Sequence, residues 1–317
     1  MLTLYERIPA EDLPFYLNLM AHLAASGVAV PSPEKDRTGS FFSILNGKPA
    51  SLINLLFLRF DLQNIKTILR RLAQGIVERE PLPSILLIGT ISSSLLTEIA
   101  KTGQLRSAID LMATLRLPFA KPLLELRQFQ PGAAIQQIEL VLEKWYFDHA
   151  YTVLKENESL ESFTANSVKM DADFTNLLVC LRLLHYPEER LRLGKQAISL
   201  MVRTGFIPLS LLEKVSYQSD IETAINLLAD TPYGKCLQEG LRRYRQSRQL
   251  SAFEKQLKRY RLRWKAGLIA RDPLGCGVPI GYLALKENEI FNLRQTALLT
   301  HLGFKGAEIM GQLEFLS

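Results

Sequence analysis

The chain repeats a polar pattern at long range, and this repeat limits what it can fold into. An acid, an asparagine three residues later and a following arginine occur in three places, of which the third is the weakest match: Asp61, Asn64 and Arg70; Asp173, Asn176 and Arg182; and Glu289, Asn292 and Arg294. The copies are separated by 112 (173 − 61) and 116 (289 − 173) residues. This period exceeds the roughly 20–50 residues of a thin solenoid. We therefore predict about three similar helical bundles.

Other landmarks repeat in the same order as the polar pattern. The segment that starts Gly89-Thr-Ile matches the segment that starts Gly205-Phe-Ile, at an offset of 116 (205 − 89). Further along, Ala108-Ile-Asp-Leu-Met-Ala matches Ala224-Ile-Asn-Leu-Leu-Ala at the same offset. Because these matches keep their order, they indicate a duplicated structural unit and not a chance likeness.

The spacing of apolar residues predicts helices over most of the chain. From about Leu55 they recur every three or four residues, which is the period of one helix face. The helices are expected over residues 57–76, 91–117, 133–154, 173–184, 191–203, 209–215, 221–228, 253–269 and 278–301. No convincing strand follows residue 55, so this part is predicted to be all-α.

The chain start has a different pattern, typical of a small α+β fragment. It reads as a strand over residues 2–6, a helix over 10–27 and a hairpin over 41–53 around Asn46-Gly47, which favours a tight turn. We therefore expect four segments: the fragment at 1–54, an incomplete first repeat at 55–130, a second repeat at 131–245 and a third at 246–317. The remainder of the third repeat is expected to be shared with the chain start.

The repeated acid and asparagine favour an architectural role. Residues at i and i+3 lie on one face of a helix. A short carboxylate and an amide there can bond to the backbone of a neighbouring helix end, or form a buried polar contact. Arg70 follows Asp61 by nine residues, about half a turn out of phase, so the three side chains do not form one cluster.

No catalytic, cofactor-binding or metal-binding residues are predicted. Three distant cysteines exclude a disulfide scaffold and a cysteine-based zinc site, and they fit a reducing compartment. No phosphate-binding loop or nucleophile motif is present, and Gly275-Cys-Gly277 lacks the third glycine of a dinucleotide fingerprint. The uncharged run 81–97 contains two prolines and four serines, so no membrane-spanning helix is expected there. We expect a cytoplasmic protein.

One stretch is strongly basic. Residues 241–265 contain ten bases and a single acid, Glu254. The candidate partner-facing residues are Arg242, Arg243, Arg245, Arg248, Lys258 and Arg261. A nucleic-acid face is one interpretation, but no recognised nucleic-acid motif accompanies it. A solvated helix face, or a face that meets an acidic partner protein, is favoured.

Three segments carry a resemblance to a known family: 58–70, 173–182 and, above all, 272–294 with Asp272-Pro-Leu-Gly and Glu289-Ile-Phe-Asn-Leu-Arg. From about Leu55 the chain resembles the C-type subunit of the V/A-type rotary ATPases, whose equivalent in the vacuolar pump is the d-type subunit. The resemblance implies a funnel of three helical bundles that has no catalytic activity and no cofactor. It also implies a peripheral membrane location in the ATPase complex. The implied partners are the D- and F-type shaft subunits and the membrane proteolipid ring, with no nucleic acid.

Members of that family couple shaft rotation to ion translocation. The ion-binding carboxylate belongs to the ring, so both H⁺ and Na⁺ stay open, as does the direction of operation. The first helices of the first repeat are replaced here by the foreign start. If the first bundle does not close, the apolar face of residues 57–72 would be exposed.

The first 53 residues resemble a fragment of the bacterial homoserine kinases. The carriers are residues 2–6, 10–27 and 45–50. The nucleotide-binding start of that family is missing, and no histidine begins a His-x-Asp catalytic loop. Two alternatives to rotor coupling stay open: a homoserine kinase remnant that retains phosphotransferase activity, and a basic helical nucleic-acid binder.

Overall fold

The described part of the protein is built from α-helices. We analysed a computed structural model, which describes residues 48–76, 89–129, 134–159, 162–186, 188 and 201–315. No strand occurs among these residues, so the all-α prediction is confirmed for them. In chain order the helices are α1 (Lys48–Ala73), α2 (Ser93–Lys101), α3 (Leu105–Thr114), α4 (Ala120–Phe129), α5 (Ile135–Glu156), α6 (Phe163–His185), α7 (Leu209–Ser216), α8 (Ile221–Leu227), α9 (Gly234–Ser247), α10 (Ser251–Ala266), α11 (Leu268–Arg271), α12 (Gly277–His301) and α13 (Gly306–Gln312).

The helices form two compact units. The first unit contains the described residues up to Leu142 together with those from Val278 onward, and the second contains Glu143–Gly277. Helix α5 crosses the border between the units. The division into three repeats stays a prediction.

The second unit is organised around α6, which is buried on most of its circumference. Leu177 and Cys180 are fully buried, and other faces of the helix are also covered. Phe174 packs against Tyr260 of α10, with ring centroids 6.3 Å apart. Nearer the start of α6, Asp171 binds Lys265 near the end of α10 at 2.8 Å. These two contacts show that α6 and α10 run antiparallel.

A close helical hairpin joins α9 to α10. Gly240 lies against Phe253, and a Cβ at this glycine would be 2.6 Å from Cδ1 of the phenylalanine ring. The connection turns at Arg248, whose φ of +56° is left-handed. A left-handed residue after a helix closes the last turn, since its N–H bonds back to a helix carbonyl, here that of Tyr244.

The first unit buries the apolar face of α1. Ile65, Ile68 and Leu69 are fully buried, and Phe60 packs with Ile290 and Leu283 of α12. The exposure of residues 57–72 that an unclosed first bundle would cause is therefore not observed. The C-terminal helix α12 belongs to the same unit as α1 and covers part of this face.

The structure also corrects the predicted chain start. The second strand of the predicted hairpin is wrong, because residues 48–53 form the first turns of α1. Pro49 stands in the first turn, where a missing backbone N–H costs little, and Leu52, Leu55 and Leu56 follow the helical period. The predicted strand 2–6, the helix 10–27 and residues 41–45 lie outside the described residues. Most of the predicted helix 191–203 does as well.

The last long helix begins at a tightly built turn. Asp272 accepts a hydrogen bond from the backbone N–H of Gly277 at 2.7 Å. A Cβ at Gly277 would lie 2.5 Å from Cβ of Asp272, so only glycine fits there without a shift. The turn gives Gly275-Cys-Gly277 a structural role in the entry to α12. The predicted helix 278–301 agrees closely with α12.

Arg116 follows α3 with a left-handed φ of +55°, which costs a non-glycine residue about 1 kcal/mol. We expect Arg116→Gly to raise the free energy of unfolding by up to about 1 kcal/mol, measured by urea denaturation followed by circular dichroism. The control is Arg106→Gly inside α3, which should lower it by about 0.5–1 kcal/mol. A loss of stability in Arg116→Gly would contradict the prediction.

Candidate functional site

The first repeated acid is a fully buried carboxylate that holds the start of another helix. Asp61 lies in α1 and is 0% exposed. Its Oδ2 accepts hydrogen bonds from the backbone N–H and the hydroxyl of Thr90, at 2.9 and 2.6 Å. Its Oδ1 accepts a third from the N–H of Ile91, at 3.0 Å. This Asp61 cluster fastens α1 to the segment that leads into α2.

The second repeated acid makes an equivalent arrangement in the second unit. Asp173 lies in α6 and is also 0% exposed. It accepts hydrogen bonds from the backbone N–H groups of Phe206 and Ile207, at 2.9 and 3.0 Å. The hydroxyl of Tyr233 donates the third bond at 2.8 Å, in the role that the Thr90 hydroxyl has in the first unit. This Asp173 cluster fastens α6 to the segment that leads into α7.

A glycine stands directly against each carboxylate. A Cβ at Gly89 would lie 1.8 Å from Oδ1 of Asp61, and a Cβ at Gly205 would lie 2.0 Å from Oδ1 of Asp173. Real Cβ atoms do not approach this closely, so each site requires glycine. The repeated glycine therefore makes room for the repeated aspartate, and the two residues form one structural contact. The sequence contains both repeats, but it does not by itself connect them.

Burial dominates the electrostatics of the Asp173 cluster. It raises the pKa of Asp173 to about 6, although hydrogen bonds from Ile207, Tyr233 and Phe206 act in the opposite direction. The pKa of Tyr233 is raised as well, first by burial and then by the negative charge of Asp173. A buried charge that is this costly favours one packing arrangement more than it adds stability.

Two of the three repeated asparagines bind backbone with both ends of the amide. In the second unit, Nδ2 of Asn176 donates to the carbonyl of Val202, and Oδ1 accepts from its N–H, both at 2.8 Å. In the first unit, Asn292 binds the carbonyl and N–H of Glu314 in the same way, at 2.7 and 3.1 Å. Asn64 is buried in α1. An aspartate could not replace these amides, because it lacks the donor.

The other residues of the repeated pattern lie apart from these clusters. Glu289 pairs with Lys286 on its own helix at 2.8 Å, so the third copy has an amide but no buried carboxylate. Arg70 pairs with Glu139 at 2.6 Å, and Arg182 is exposed. Arg294 is half-buried, and this burial lowers the pKa of its guanidinium. Each arginine thus occupies a different environment.

Sequence reasoning missed three members of the site. Thr90 and Tyr233 complete the two carboxylate clusters, and Asn288 adds a second amide at 2.8 Å to the carbonyl of Glu314. The only sequence signal for Thr90 is its place directly after the repeated Gly89. No sequence signal identifies Tyr233, because Phe206 stands where the first unit has Thr90.

The basic stretch divides into an outward set and an inward set. On α9, the side chains of Arg242, Arg243 and Arg245 are 73%, 47% and 52% exposed. On α10, Arg261 and Lys265 instead approach Asp171 of α6, at 3.7 and 2.8 Å. The remaining two candidates differ from each other, since Arg248 is exposed and Lys258 is partly buried.

The described ranges contain neither a candidate metal site nor a candidate membrane-spanning helix. No group of His, Cys, Asp or Glu there could hold a metal ion. None of the described helices is both long enough and apolar enough to cross a membrane.

The fold and the two clusters define an all-α protein whose helical units each contain a buried carboxylate contact. The family model described as "ATP synthase (C/AC39) subunit" matches residues 36–311. The chain therefore belongs to this family, which points to the C-type or d-type subunit of a V/A-type ATPase. The match begins earlier than the predicted Leu55, in agreement with α1, which begins at Lys48.

A second likeness covers a short segment. The chain is 58% identical over 57 residues to homoserine kinase from Rhodopseudomonas palustris strain BisA53, which is 18% of this chain and 18% of that enzyme. For strain BisB18 the identity is 54% over 57 residues, with the same two shares. For Burkholderia ambifaria strain MC40-6 it is 50% over 56 residues, or 18% and 17%. The chain thus spans under a fifth of the length of these relatives.

We expect Gly205→Ala to lower the free energy of unfolding by about 2–4 kcal/mol, because the new methyl group must displace the Asp173 carboxylate from its buried donors. Urea denaturation followed by circular dichroism measures the change. The matched control is Gly311→Ala in α13, where a Cβ meets nothing within 4 Å. The control should raise stability by about 0.5–1 kcal/mol. Equal stabilities of Gly205→Ala and the parent would contradict the role of the glycine.

Stability should depend on pH through Asp173. Its pKa in the folded protein is raised to about 6 from an ordinary 3.8, so the stability that protonation adds is present below pH 4 and lost as the pH rises through 6. Relative to Asp173→Asn, the parent should lose up to about 3 kcal/mol between pH 4 and pH 7.5. Urea denaturation of both proteins across this pH range measures whether the relative stability of the parent falls or rises. If the stability of the parent relative to Asp173→Asn stayed constant or rose with pH, Asp173 would not be the cause.

Proposed function

We propose that this chain is a non-catalytic subunit of the central stalk of a V/A-type rotary ATPase. In this role it connects the rotor shaft, formed by D- and F-type subunits, to the proteolipid ring in the membrane. Rotation driven by ATP would thereby be transmitted to the ring, which moves H⁺ or Na⁺. The protein would be cytoplasmic and attached to the membrane through the complex.

The observation that carries this proposal is the family match over residues 36–311. Subunits of this family are non-catalytic parts of the stalk. The homoserine kinase likeness supports no competing function, because it reaches only 17–18% of the length of those enzymes.

The internal contacts suit a part that transmits torque. Such a part must keep its shape under load, which close packing and fixed polar contacts provide. The Asp61 and Asp173 clusters each fix one long helix to the entry of a short one, through three hydrogen bonds to a single carboxylate. Asn176 adds two further bonds between α6 and Val202 in the second unit.

The proposal is tested by removing this subunit from the host ATPase and adding the full chain back. With the complex in vesicles, ATP hydrolysis and ATP-driven ion uptake are measured in parallel. We expect hydrolysis without the chain and ion uptake only with it. Uptake that is independent of the chain would refute the coupling role.

A variant tests whether rigidity matters for coupling. We expect Gly205→Ala to lower the number of ions moved per ATP, because it loosens the Asp173 cluster, whereas Gly311→Ala should match the parent. Circular dichroism at the assay temperature confirms that both variants are folded. An unchanged ratio in a folded Gly205→Ala protein would show that the cluster serves stability alone.

A simpler binding test precedes reconstitution. The full chain is used in a pull-down with the purified D- and F-type shaft subunits of the host. Capture of the shaft is expected. Failure of a folded chain to bind either the shaft or the ring would contradict the proposal. Release of ADP that requires both ATP and homoserine would instead support the kinase alternative.

A further inference from the structure

Helix α9 presents one strongly basic face to the outside of the second unit. Leu237, Leu241 and Tyr244 are buried on its inner side. Lys235, Arg242 and Arg245 are exposed. At 100° per residue, Lys235 and Arg242 lie on the opposite side of the helix, and Arg245 lies on its flank. We call these three residues, with the neighbouring Arg243 and Arg248, the α9 basic face.

The charges on this face are only weakly engaged within the chain. Arg242 and Arg243 share Glu239, at 2.5 and 3.4 Å, and Arg245 pairs with Glu222 of α8. All three arginine side chains are about half or more exposed, and exposed pairs of this kind contribute about 0–1 kcal/mol. These guanidinium groups can therefore exchange their present partners for other carboxylates at little cost. By contrast, Lys265 on α10 is largely buried against Asp171.

We propose that the α9 basic face is a docking surface for the acidic surface of a partner protein. Arg242 and Arg245 are one helical turn apart, and Lys235 is about 10 Å further along the axis from Arg242. Carboxylates one or two turns apart on a partner helix would match this spacing. Arginine can bind each of them through two parallel hydrogen bonds.

The surroundings of the face favour protein carboxylates over nucleic-acid phosphates. Glu222 and Glu239 stand among the arginines, so the face alternates in charge and does not form the continuous basic line that a phosphate backbone would follow. Gln238 is bonded to Asn226 of α8 at 3.1 Å, and the next residue, Leu227, is 41% exposed. A mixture of arginine, amide and exposed apolar side chains is typical of protein interfaces.

This inference deepens the proposed function, because the partner would be another member of the complex. The binding test is nevertheless independent of it. The probes are a short polyglutamate peptide and a DNA duplex, each titrated against the full chain at low and at physiological salt. The variant is Arg242→Glu with Arg245→Glu. The control is Arg203→Glu with Arg263→Glu, which makes the same change in net charge at exposed positions outside α9.

We expect the polyglutamate peptide to bind the parent and the control alike, and to bind the α9 variant at least about tenfold more weakly. Added salt should weaken binding to the parent. Equal losses in the variant and the control would overturn the proposal in favour of a net-charge effect. Tighter binding of DNA that depends on the α9 residues would overturn it in favour of a nucleic-acid face.

The reconstituted ATPase then distinguishes the docking surface on α9 from the proposed coupling role. Loss of ion uptake with the α9 variant, but not with the control, supports docking at this face within the complex. Full uptake with the α9 variant overturns the docking surface and leaves the coupling role in place. If the parent itself fails to restore uptake, while the peptide still distinguishes the variant from the control, the coupling role fails and the basic face stands.

Discussion

A carboxylate that is buried away from water needs hydrogen-bond donors from the protein. The packing of both units depends on which groups supply these donors. Asp61 and Asp173 each receive three donors, of which two are backbone N–H groups just ahead of a short helix. These donors lie just before the helix N-caps, in connecting backbone that would otherwise need water or another acceptor. One side chain thus satisfies itself and the entry of a neighbouring helix, so the two elements take up a single relative arrangement.

The amide contacts extend the same principle without charge. Asn176 and Asn292 each bind both polar groups of one backbone residue, which an isolated loop residue cannot otherwise satisfy when it is buried. In the third copy the amide persists, while Glu289 has moved to a surface pair with Lys286. The C-terminal segment is therefore held through Asn288 and Asn292, by neutral groups whose bonds do not titrate.

Much of the helical fold follows from residue spacing, as α12 illustrates, because periodicity is a local property. Helices α4 and α9 are not among the predicted helices, and the predicted helix 91–117 is divided into α2 and α3. The start of α1 could not be predicted from spacing. Asn46-Gly47 signals a turn, while Pro49 and the leucines after it are equally compatible with a helix. The repeated Asp and Asn indicated an architectural site, but their partners lie about 30 residues away in the chain. Tyr233, which is 60 residues from Asp173, could be found only from the packed structure.

The glycine that faces each buried carboxylate also has a consequence for how the sequence can change over generations. Gly205 cannot gain a side chain while Asp173 is present, and Asp173 leaves two backbone donors and a tyrosine hydroxyl without a partner if it is lost first. We therefore expect the two positions to change together. A descendant can abandon the glycine only after the carboxylate has gone, so the order of the two substitutions is fixed by geometry.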